Sequence, residues 1–247
     1  MSKCESTVFR KADLHVHTPK SECYRDKSVM PEQIVDTALS NGLEVIAITD
    51  HNTAAAIDDV VRAAKDKDLF VFPGIELSTR EGHVFAIFDL ATPLSILEDF
   101  LDDVGIDGER QGDATAVADV GMEQVCQKIA EHNGVTIAAH IERWPSGFLE
   151  TNQSRRVKMR IHGNQHLSAL EITVPQNRGL WNEGKNRGFP KKYACIQSSD
   201  AHALEEIGRR PVYIHMEEVG LAAIRSAFLD HGTKIVFPNE CPSSPKG

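Results

Sequence analysis

The stretch Asp13-Leu14-His15-Val16-His17 places two imidazoles at the end of a short, largely apolar run that is typical of a strand. Side chains two residues apart in a strand point to the same face of the sheet, so His15 and His17 are expected to lie on one face. A single H-x-H pair is a weak signal, because strand alternation also produces it for unrelated reasons. The pair becomes informative because the arrangement recurs along the chain.

Further short apolar runs end near residues 49, 75, 139 and 197, and each is followed by a polar side chain of a metal-binding type. Such runs are typical of buried parallel strands, and residues 170–174 are a further candidate strand. In a barrel of alternating strands and helices, the carboxyl ends of the strands share one rim, so residues far apart in sequence converge there. The residues expected at that rim are His15, His17, Asp50, His51, Glu76, His83, His140, Asp200 and His202.

Imidazoles combined with carboxylates suit zinc, manganese, iron or nickel, whereas a thiolate set would indicate structural zinc or an iron–sulfur cluster. None of the five cysteines forms a C-x-x-C pair, and their scatter is typical of reduced thiols in a cytosolic protein. The sequence shows no secretory signal pattern and no run near the roughly 20 apolar residues of a spanning helix. We therefore expect a cytoplasmic protein with no membrane contact, of unknown oligomeric state.

The chain has 247 residues, of which 41% are hydrophobic, which is enough for one barrel with one sizeable core. We expect a single catalytic domain over residues 1–247. The acidic segment 94–118 contains three glycines that interrupt any long helix, so it is interpreted as a rim insertion or lid. Residues 239–247, rich in proline and serine, are expected to form a loose tail.

The formal net charge of −9 argues against non-specific binding of long nucleic acids, because such binders usually carry a basic surface. The charge is nevertheless uneven. Residues 143–192 contain ten Lys or Arg against three Glu, a balance of +7, so the rest of the chain carries −16. Two interpretations remain open for this basic stretch: solvated helix faces and loops, or a wall that collects phosphate groups beside His140.

The ordered motifs resemble the PHP family, named for polymerase and histidinol phosphatase domains, over about residues 10–240. The motifs are Asp13-Leu-His15-Val-His17-Thr, Thr49-Asp50-His51, Gly74-Ile-Glu76, His83, Ala139-His140 and Ser199-Asp200-Ala-His202. The resemblance implies a distorted TIM-like (β/α)7 barrel, an α/β fold with about seven strands. It also implies a cluster of two or three divalent metal ions, manganese, zinc or iron.

The resemblance also assigns ligands, residue by residue. One metal would be held by His15, His17, Glu76 and Asp200, with Glu76 bridging to a second metal bound by His83 and His140. The third would take His51, His202 and a group from the loop after His17.

Many family members have Asp or His in that loop, and here Glu22 occupies the first matching position and becomes the expected ligand. Cys23 and Asp26 are alternatives, and a weak or empty third site is another. Asp50, next to His51, is expected to orient ligands rather than to bind a metal.

The implied activity is hydrolysis of a phosphate ester by a metal-bound hydroxide, with Glu76, His140, Asp200 and Arg143 as catalytic residues. Arg143, three residues after His140, is the best candidate to position substrate, followed by Arg178 and Arg209. The expected substrate is a small phosphorylated molecule or a nucleotide. The alternatives are a phosphodiesterase or nuclease acting on short nucleic acids, and a metal-binding assembly domain that has lost hydrolysis.

Overall fold

The computed structural model describes residues 8–240. Nine strands of this part form one sheet: β1 Phe9–Val16, β2 Val45–Ile48, β3 Phe70–Thr79, β4 Gly82–Ile87, β5 Val135–Ala138, β6 Leu167–Glu171, β7 Ala194–Ile196, β8 Val212–His215 and β9 Ile235–Val236. Its α-helices are α1 Pro31–Ser40, α2 Ile57–Ala64, α3 Leu94–Asp103, α4 Met122–Glu131, α5 Arg155–Gly163, α6 Arg178–Asn182, α7 Leu221–Leu229 and α8 His231–Lys234.

The sheet has the order β7-β6-β5-β4-β3-β2-β1-β8-β9 and curls into a nearly closed barrel. The segment after β7 lies beside β1, where Val16 pairs with Ala201 and the backbone N–H of His17 donates to the Ala201 carbonyl over 3.0 Å. This contact brings the β7 end of the sheet back to the end of β1. The predicted distorted TIM-like barrel is confirmed, and the described residues contain nine strands rather than about seven.

The direction of β4 differs from the expected parallel alternation. Strands β1 to β3 are parallel, as are β5 to β7, but β4 is antiparallel to both β3 and β5. The cause is the tight turn at Arg80 and Glu81 that joins β3 to β4. A two-residue turn joins antiparallel strands, whereas parallel strands need a longer crossover, usually through a helix. Because β4 runs backwards, its first residues, including His83, lie at the rim where β3 ends.

The core fills the barrel and the space between the sheet and its helices. Strand side chains such as Leu14, Ile46, Phe72 and Phe85 are fully buried. The helices contribute one apolar face each; α1, for example, buries Ile34, Val35 and Ala38 while its other residues are more exposed. This burial fixes the strand ends, and therefore the polar residues that follow them.

The acidic segment 94–118 begins with helix α3 and continues as a series of turns that contact the rim. The Asn52 side-chain amide donates to the carbonyls of Asp113 and Ala116 over 2.8 and 2.7 Å. The Ser78 hydroxyl donates to the Ala114 carbonyl over 2.7 Å. These bonds tie the turns to the loop that follows β2 and to the end of β3.

Four further features of the chain bear on expectations from the sequence. Strand β6 ends at Glu171, whereas the apolar run had suggested a strand over residues 170–174. Most of the expected tail lies outside the described residues, which end with a 3-10 turn at Pro238–Glu240. Cys23, Cys126 and Cys195 are free thiols, and Cys4 and Cys241 lie outside the described residues. Among the residues described, no helix combines the length and apolarity needed to cross a membrane.

Candidate metal centre

The Glu76 carboxylate lies at the centre of the rim, near the middle of β3, and is fully buried. Its Oε1 lies 3.1 Å from Nδ1 of His83 and 3.0 Å from Nε2 of His140. His83 comes from the start of β4 and His140 follows β5, so two strands supply imidazoles to one carboxylate oxygen. The antiparallel hairpin of β3 and β4 is what makes the His83 contact reachable.

The second oxygen of Glu76 faces three other imidazoles. Oε2 lies 3.2 Å from Nε2 of His15, 3.2 Å from Nε2 of His17 and 3.0 Å from Nδ1 of His51. Asp200 completes this side, with Oδ1 3.2 Å from Nε2 of His15 and 3.1 Å from Nε2 of His17. All five of these side chains are at least nine-tenths buried.

The ligand-type atoms form three overlapping groups, and within each group all of them lie within 4.8 Å of one another. The groups are His15, His17, Glu76 and Asp200; His51, Glu76 and His83; and His17, His51 and His202. Glu76, His17 and His51 each belong to two groups. The groups contain seven of the nine residues expected at the rim; His140 contacts Glu76 but belongs to no group, and Asp50 lies behind them.

The buried imidazole nitrogens and carboxylate oxygens of the cluster are suited to binding divalent cations. Nε2 of His15 lies 3.1 Å from Nε2 of His17, so two ring nitrogens point at each other in a buried space. Nδ1 of His51 and Oε2 of Glu76 are buried without a hydrogen-bond partner among the described residues, although they lie only 3.0 Å apart. Buried polar atoms left in this state are costly, and a shared cation would satisfy them.

The electrostatics follow from this crowding. Burial alone would raise the pKa of Glu76, but the imidazoles of His15, His51 and His83 hold it well below its usual range. Burial would lower the pKa of His15, yet the carboxylates of Glu76, Glu171 and Asp200 raise it well above its usual value. The carboxylates are therefore strongly held in their charged form, which is the form that binds cations.

Glu171, at the end of β6, orients two of the histidines and was missed from the sequence. Its carboxylate lies 3.2 Å from Nδ1 of His15 and accepts the backbone N–H of His140 over 2.7 Å. The His15 ring therefore has one nitrogen facing Glu171 and the other facing the cluster. An acid at the end of a strand on this rim was the available signal, but the strand was expected to end three residues later.

Asp50 accepts hydrogen bonds from the Thr18 backbone N–H, the Thr18 hydroxyl and the Ser21 hydroxyl, each over 2.7 Å. Ser21 Oγ lies 2.9 Å from Nδ1 of His17. Asp50 thus acts on the His17 ring through Ser21, at a distance of 4.0 Å from it. The orienting role of Asp50 stays a prediction; Ser21, which donates to Asp50, also accepts the backbone N–H of His51 over 3.0 Å, so both histidines are connected to Asp50.

Asp13 is fully buried and anchors the loop that carries Asp200. Its carboxylate accepts the backbone N–H groups of Ser199 and Gly208 over 2.9 and 2.8 Å. Asp200 itself has a φ of +50°, and His140 has a φ of +28°. Both residues hold the left-handed backbone region that costs free energy for side chains other than glycine, as is common at functional sites.

The structure does not bring Glu22 into any of the three groups. Its side chain is exposed, and its backbone N–H donates to the Gly112 carbonyl over 2.8 Å. The Asp26 carboxylate instead accepts from the backbone N–H and hydroxyl of Ser28. Cys23 is also exposed and belongs to no group; partial desolvation, with smaller effects from the Glu76 and Asp200 carboxylates, raises the pKa of its thiol to about 11.

The three candidate arginines occupy different places. Arg143 is partly exposed and its guanidinium donates to the Asp200 carboxylate. Arg209 lines the same cleft, of about 430 Å³, and pairs with Glu206 over 3.1 Å. Arg178 lies elsewhere: its guanidinium packs 4.4 Å from the centre of the Phe237 ring and pairs with Glu240. The contacts of Arg178 are thus structural and do not involve the cluster.

Comparisons with known proteins agree with this geometry. A 140-residue part of the chain is 29% identical to the "Uncharacterized protein MJ1587" of Methanocaldococcus jannaschii, covering 53% of this chain and 67% of that protein. The fold is similar to that of the lesion-specific endonuclease PfuEndoQ from Pyrococcus furiosus, with a TM-score of 0.71 at 18% identity over 92% of this chain.

The fold is also similar to that of a two-domain protein from Bacteroides vulgatus that contains a predicted PHP-like metal-dependent phosphoesterase. The TM-score is 0.63 at 19% identity, over 93% of this chain. The chain spans 57% of the endonuclease and 65% of the Bacteroides protein. These solved structures are similar in fold to this chain while being longer than it.

The family model described as "PHP domain" matches residues 13–163, which is more than half of the chain. That range includes every proposed metal ligand except Asp200 and His202, which follow β7. The chain therefore belongs to the PHP domain family.

Proposed function

We propose that the chain hydrolyses a phosphate ester of a small phosphorylated molecule or nucleotide, using up to three divalent cations held at the rim. The observation that carries this proposal is the set of three overlapping ligand groups that share Glu76, His17 and His51. Manganese, zinc or iron would suit the mixture of imidazole nitrogens and carboxylate oxygens.

These side chains would hold up to three cations between them. His15, His17, Glu76 and Asp200 would hold the first, and Glu76 would bridge to a second bound by His83 and His140. The 3.0 and 3.1 Å contacts of those two imidazoles with Glu76 Oε1 support this division. His51 and His202, grouped with His17, would hold the third. Its remaining ligand stays open, since neither Glu22 nor Cys23 belongs to any of the three groups.

Divalent cations bound here would lower the pKa of a coordinated water and neutralise charge on the phosphoryl oxygens. Side chains of the protein would orient the metal ligands and bind the substrate. Glu171, Asp50 and Asp13 fix the orientation of the ligands, and a phosphoryl group entering the 430 Å³ cleft would meet the Arg143 and Arg209 guanidinium groups. Arg143, bonded to Asp200 at the cluster, is the residue best placed to bind a phosphate oxygen.

The test uses protein stripped of metal with a chelator and then supplied with Mn²⁺, Zn²⁺ or Fe²⁺ one at a time. Hydrolysis of an aryl phosphate should be absent from the stripped protein and restored by at least one of the ions. A bis-aryl phosphate diester, assayed in parallel, separates monoesterase from diesterase activity. Metal binding without hydrolysis of either ester would favour the metal-binding assembly domain instead.

A nuclease is the second candidate. The similarity in fold to a lesion-specific endonuclease over 92% of this chain favours it. The same arrangement of cations suits monoesters and diesters alike, so the substrate must be decided by surfaces outside the cluster.

A further inference from the structure

A second cleft, of about 380 Å³, lies between the first part of helix α5 and the segment 183–192. It is lined by Leu149, Arg155, Lys158, Trp181, Asn186, Arg187 and Phe189. Three of these seven residues are cationic and none is acidic. The cleft is therefore the place where the basic stretch 143–192 concentrates positive charge around a concave surface.

These three cations are uncompensated. Among residues 8–240, no carboxylate forms an ion pair with Arg155, Lys158 or Arg187. By contrast, two arginines of the 430 Å³ cleft at the metal centre do form ion pairs, Arg143 with Asp200 and Arg209 with Glu206. Three like charges around one cleft repel one another, so an anionic ligand would relieve that repulsion.

The local backbone is shaped to hold one of the guanidinium groups. Gly188 has a φ of +88°, and a Cβ atom there would lie 2.2 Å from Nη2 of Arg155. The absence of that Cβ lets Arg155 donate to the Arg187 carbonyl over 3.2 Å. The Lys158 ammonium donates to the Leu149 carbonyl over 2.6 Å. Arg155 and Lys158, about one turn apart on α5, are thus each held by a backbone carbonyl before any ligand binds.

The cleft adjoins the metal centre through a short piece of chain. Leu149 follows Ser146 by three residues, and the Ser146 carbonyl accepts the backbone N–H of His83 over 2.8 Å. Three residues span at most about 11 Å, so the cleft wall begins within that reach of a proposed metal ligand. Trp144, on the same loop, is 75% exposed and offers an aromatic face to solvent.

We propose that this cleft binds the phosphate backbone of a single-stranded nucleic acid whose scissile phosphodiester lies at the metal centre. The inference rests on the proposed phosphoesterase chemistry and favours the second candidate, the nuclease, by naming its substrate class. A single phosphate group cannot occupy both places, whereas successive phosphates of one strand can. An exposed aromatic side chain such as Trp144 is a stacking surface for an unpaired base.

The test measures binding of a fluorescein-labelled 12-nucleotide oligothymidylate by anisotropy, in chelator so that no hydrolysis occurs. The variant carries Arg155→Ala, Lys158→Ala and Arg187→Ala together. The matched control carries Arg62→Ala, Lys65→Ala and Lys67→Ala, which removes the same charge at the end of α2, where the chain leads into β3 rather than β6. The single charge reversal Arg187→Glu, at an exposed residue, serves if the triple variant does not fold.

We expect the cleft variant to raise the oligonucleotide Kd at least about tenfold and to reduce the slope of log K against log salt by about 2, the value for three lost phosphate contacts with a single strand. The control variant should keep the wild-type Kd, and both should keep the wild-type kcat/KM for an aryl phosphate. An unchanged Kd and salt slope in the cleft variant, or an equal loss in the control, would overturn the inference. Absence of aryl phosphate hydrolysis in the wild type would instead contradict the proposed function, and the binding result would still decide whether the cleft holds nucleic acid.

Discussion

The Glu171 carboxylate lies 3.2 Å from Nδ1 of His15, while Nε2 of the same ring lies 3.2 Å from Glu76. The imidazole is therefore held between two carboxylates, one in the cluster and one behind it. A histidine held in this way has a fixed ring orientation and a more basic free nitrogen, and both favour metal binding.

Glu171→Gln should weaken metal binding about 10–100-fold, because it weakens the acceptor that orients His15 and the His140 backbone. Metal affinity can be measured by competition with a chromogenic chelator. Glu123→Gln is the matched control, since Glu123 pairs with Arg160 on the surface. Equal metal affinity in the Glu171→Gln variant and the control would mean that the carboxylate does not support the ligands.

Arg143→Ala should raise KM for an aryl phosphate about tenfold while changing kcat less, since the guanidinium is proposed to bind substrate rather than to take part in bond cleavage. Arg178→Ala is the comparison, because Arg178 packs on Phe237 and pairs with Glu240. Steady-state kinetics of both variants decide the matter. An unchanged KM in Arg143→Ala would remove this residue from substrate positioning.

Gly82→Ala should lower the free energy of unfolding by about 2 kcal/mol or more, the cost of left-handed strain combined with overpacking. Gly82 has a φ of +121°, and an added Cβ would lie 2.6 Å from the Ser146 carbonyl oxygen. Gly108→Ala is the control, because a Cβ added there would have no described atom within 4 Å beyond its chain neighbours. Urea denaturation of the two variants gives the comparison, and equal midpoints would contradict the steric account.

His162→Gln should make stability less dependent on pH between about 6.5 and 4. Burial against the aromatic residues Trp181, Phe189 and Tyr193 lowers the pKa of His162 to about 4 from its ordinary value of 6.5. A lowered pKa means that the stability present above pH 6.5 is lost as the pH falls towards 4, because the unfolded chain takes up the proton first.

The loss specific to His162 should be at most about 3 kcal/mol, from the energy equivalent of the pKa shift. Urea denaturation of wild type and variant at several pH values isolates it, since the other histidines are common to both proteins. Parallel curves of unfolding free energy against pH would show that His162 is not held in its neutral form.

The sequence was sufficient to predict the barrel and most of the rim, because most apolar runs that predict strands are followed directly by a residue of a metal-binding type. Apolar runs with a polar residue at the tip located His15, His51, Glu76 and His140, and the ordered motifs supplied the family. The position of His83 came from the motif pattern alone. Its physical cause, the reversed strand β4, follows from the hairpin at residues 80–81, which the expectation of parallel units did not include.

The sequence was less informative where a role depends on the direction of a side chain. Glu22 was favoured by its place in the loop, but the backbone turns its side chain to solvent. Arg178 lies in the basic stretch yet packs on Phe237, near the end of the described chain. Glu171 was missed because the end of its strand was misplaced by three residues. Long-range contacts decide all three cases, and local patterns do not contain them.

The most direct test of the central account is the metal content and aryl phosphate turnover of Glu76→Gln, compared with wild type after both are loaded with Mn²⁺. Glu76 contacts five imidazoles, so the account expects a folded variant that retains fewer metal ions per chain by elemental analysis and has a kcat lower by about 1,000-fold, equivalent to about 4 kcal/mol. A Glu76→Gln variant with wild-type metal content and wild-type turnover would contradict it.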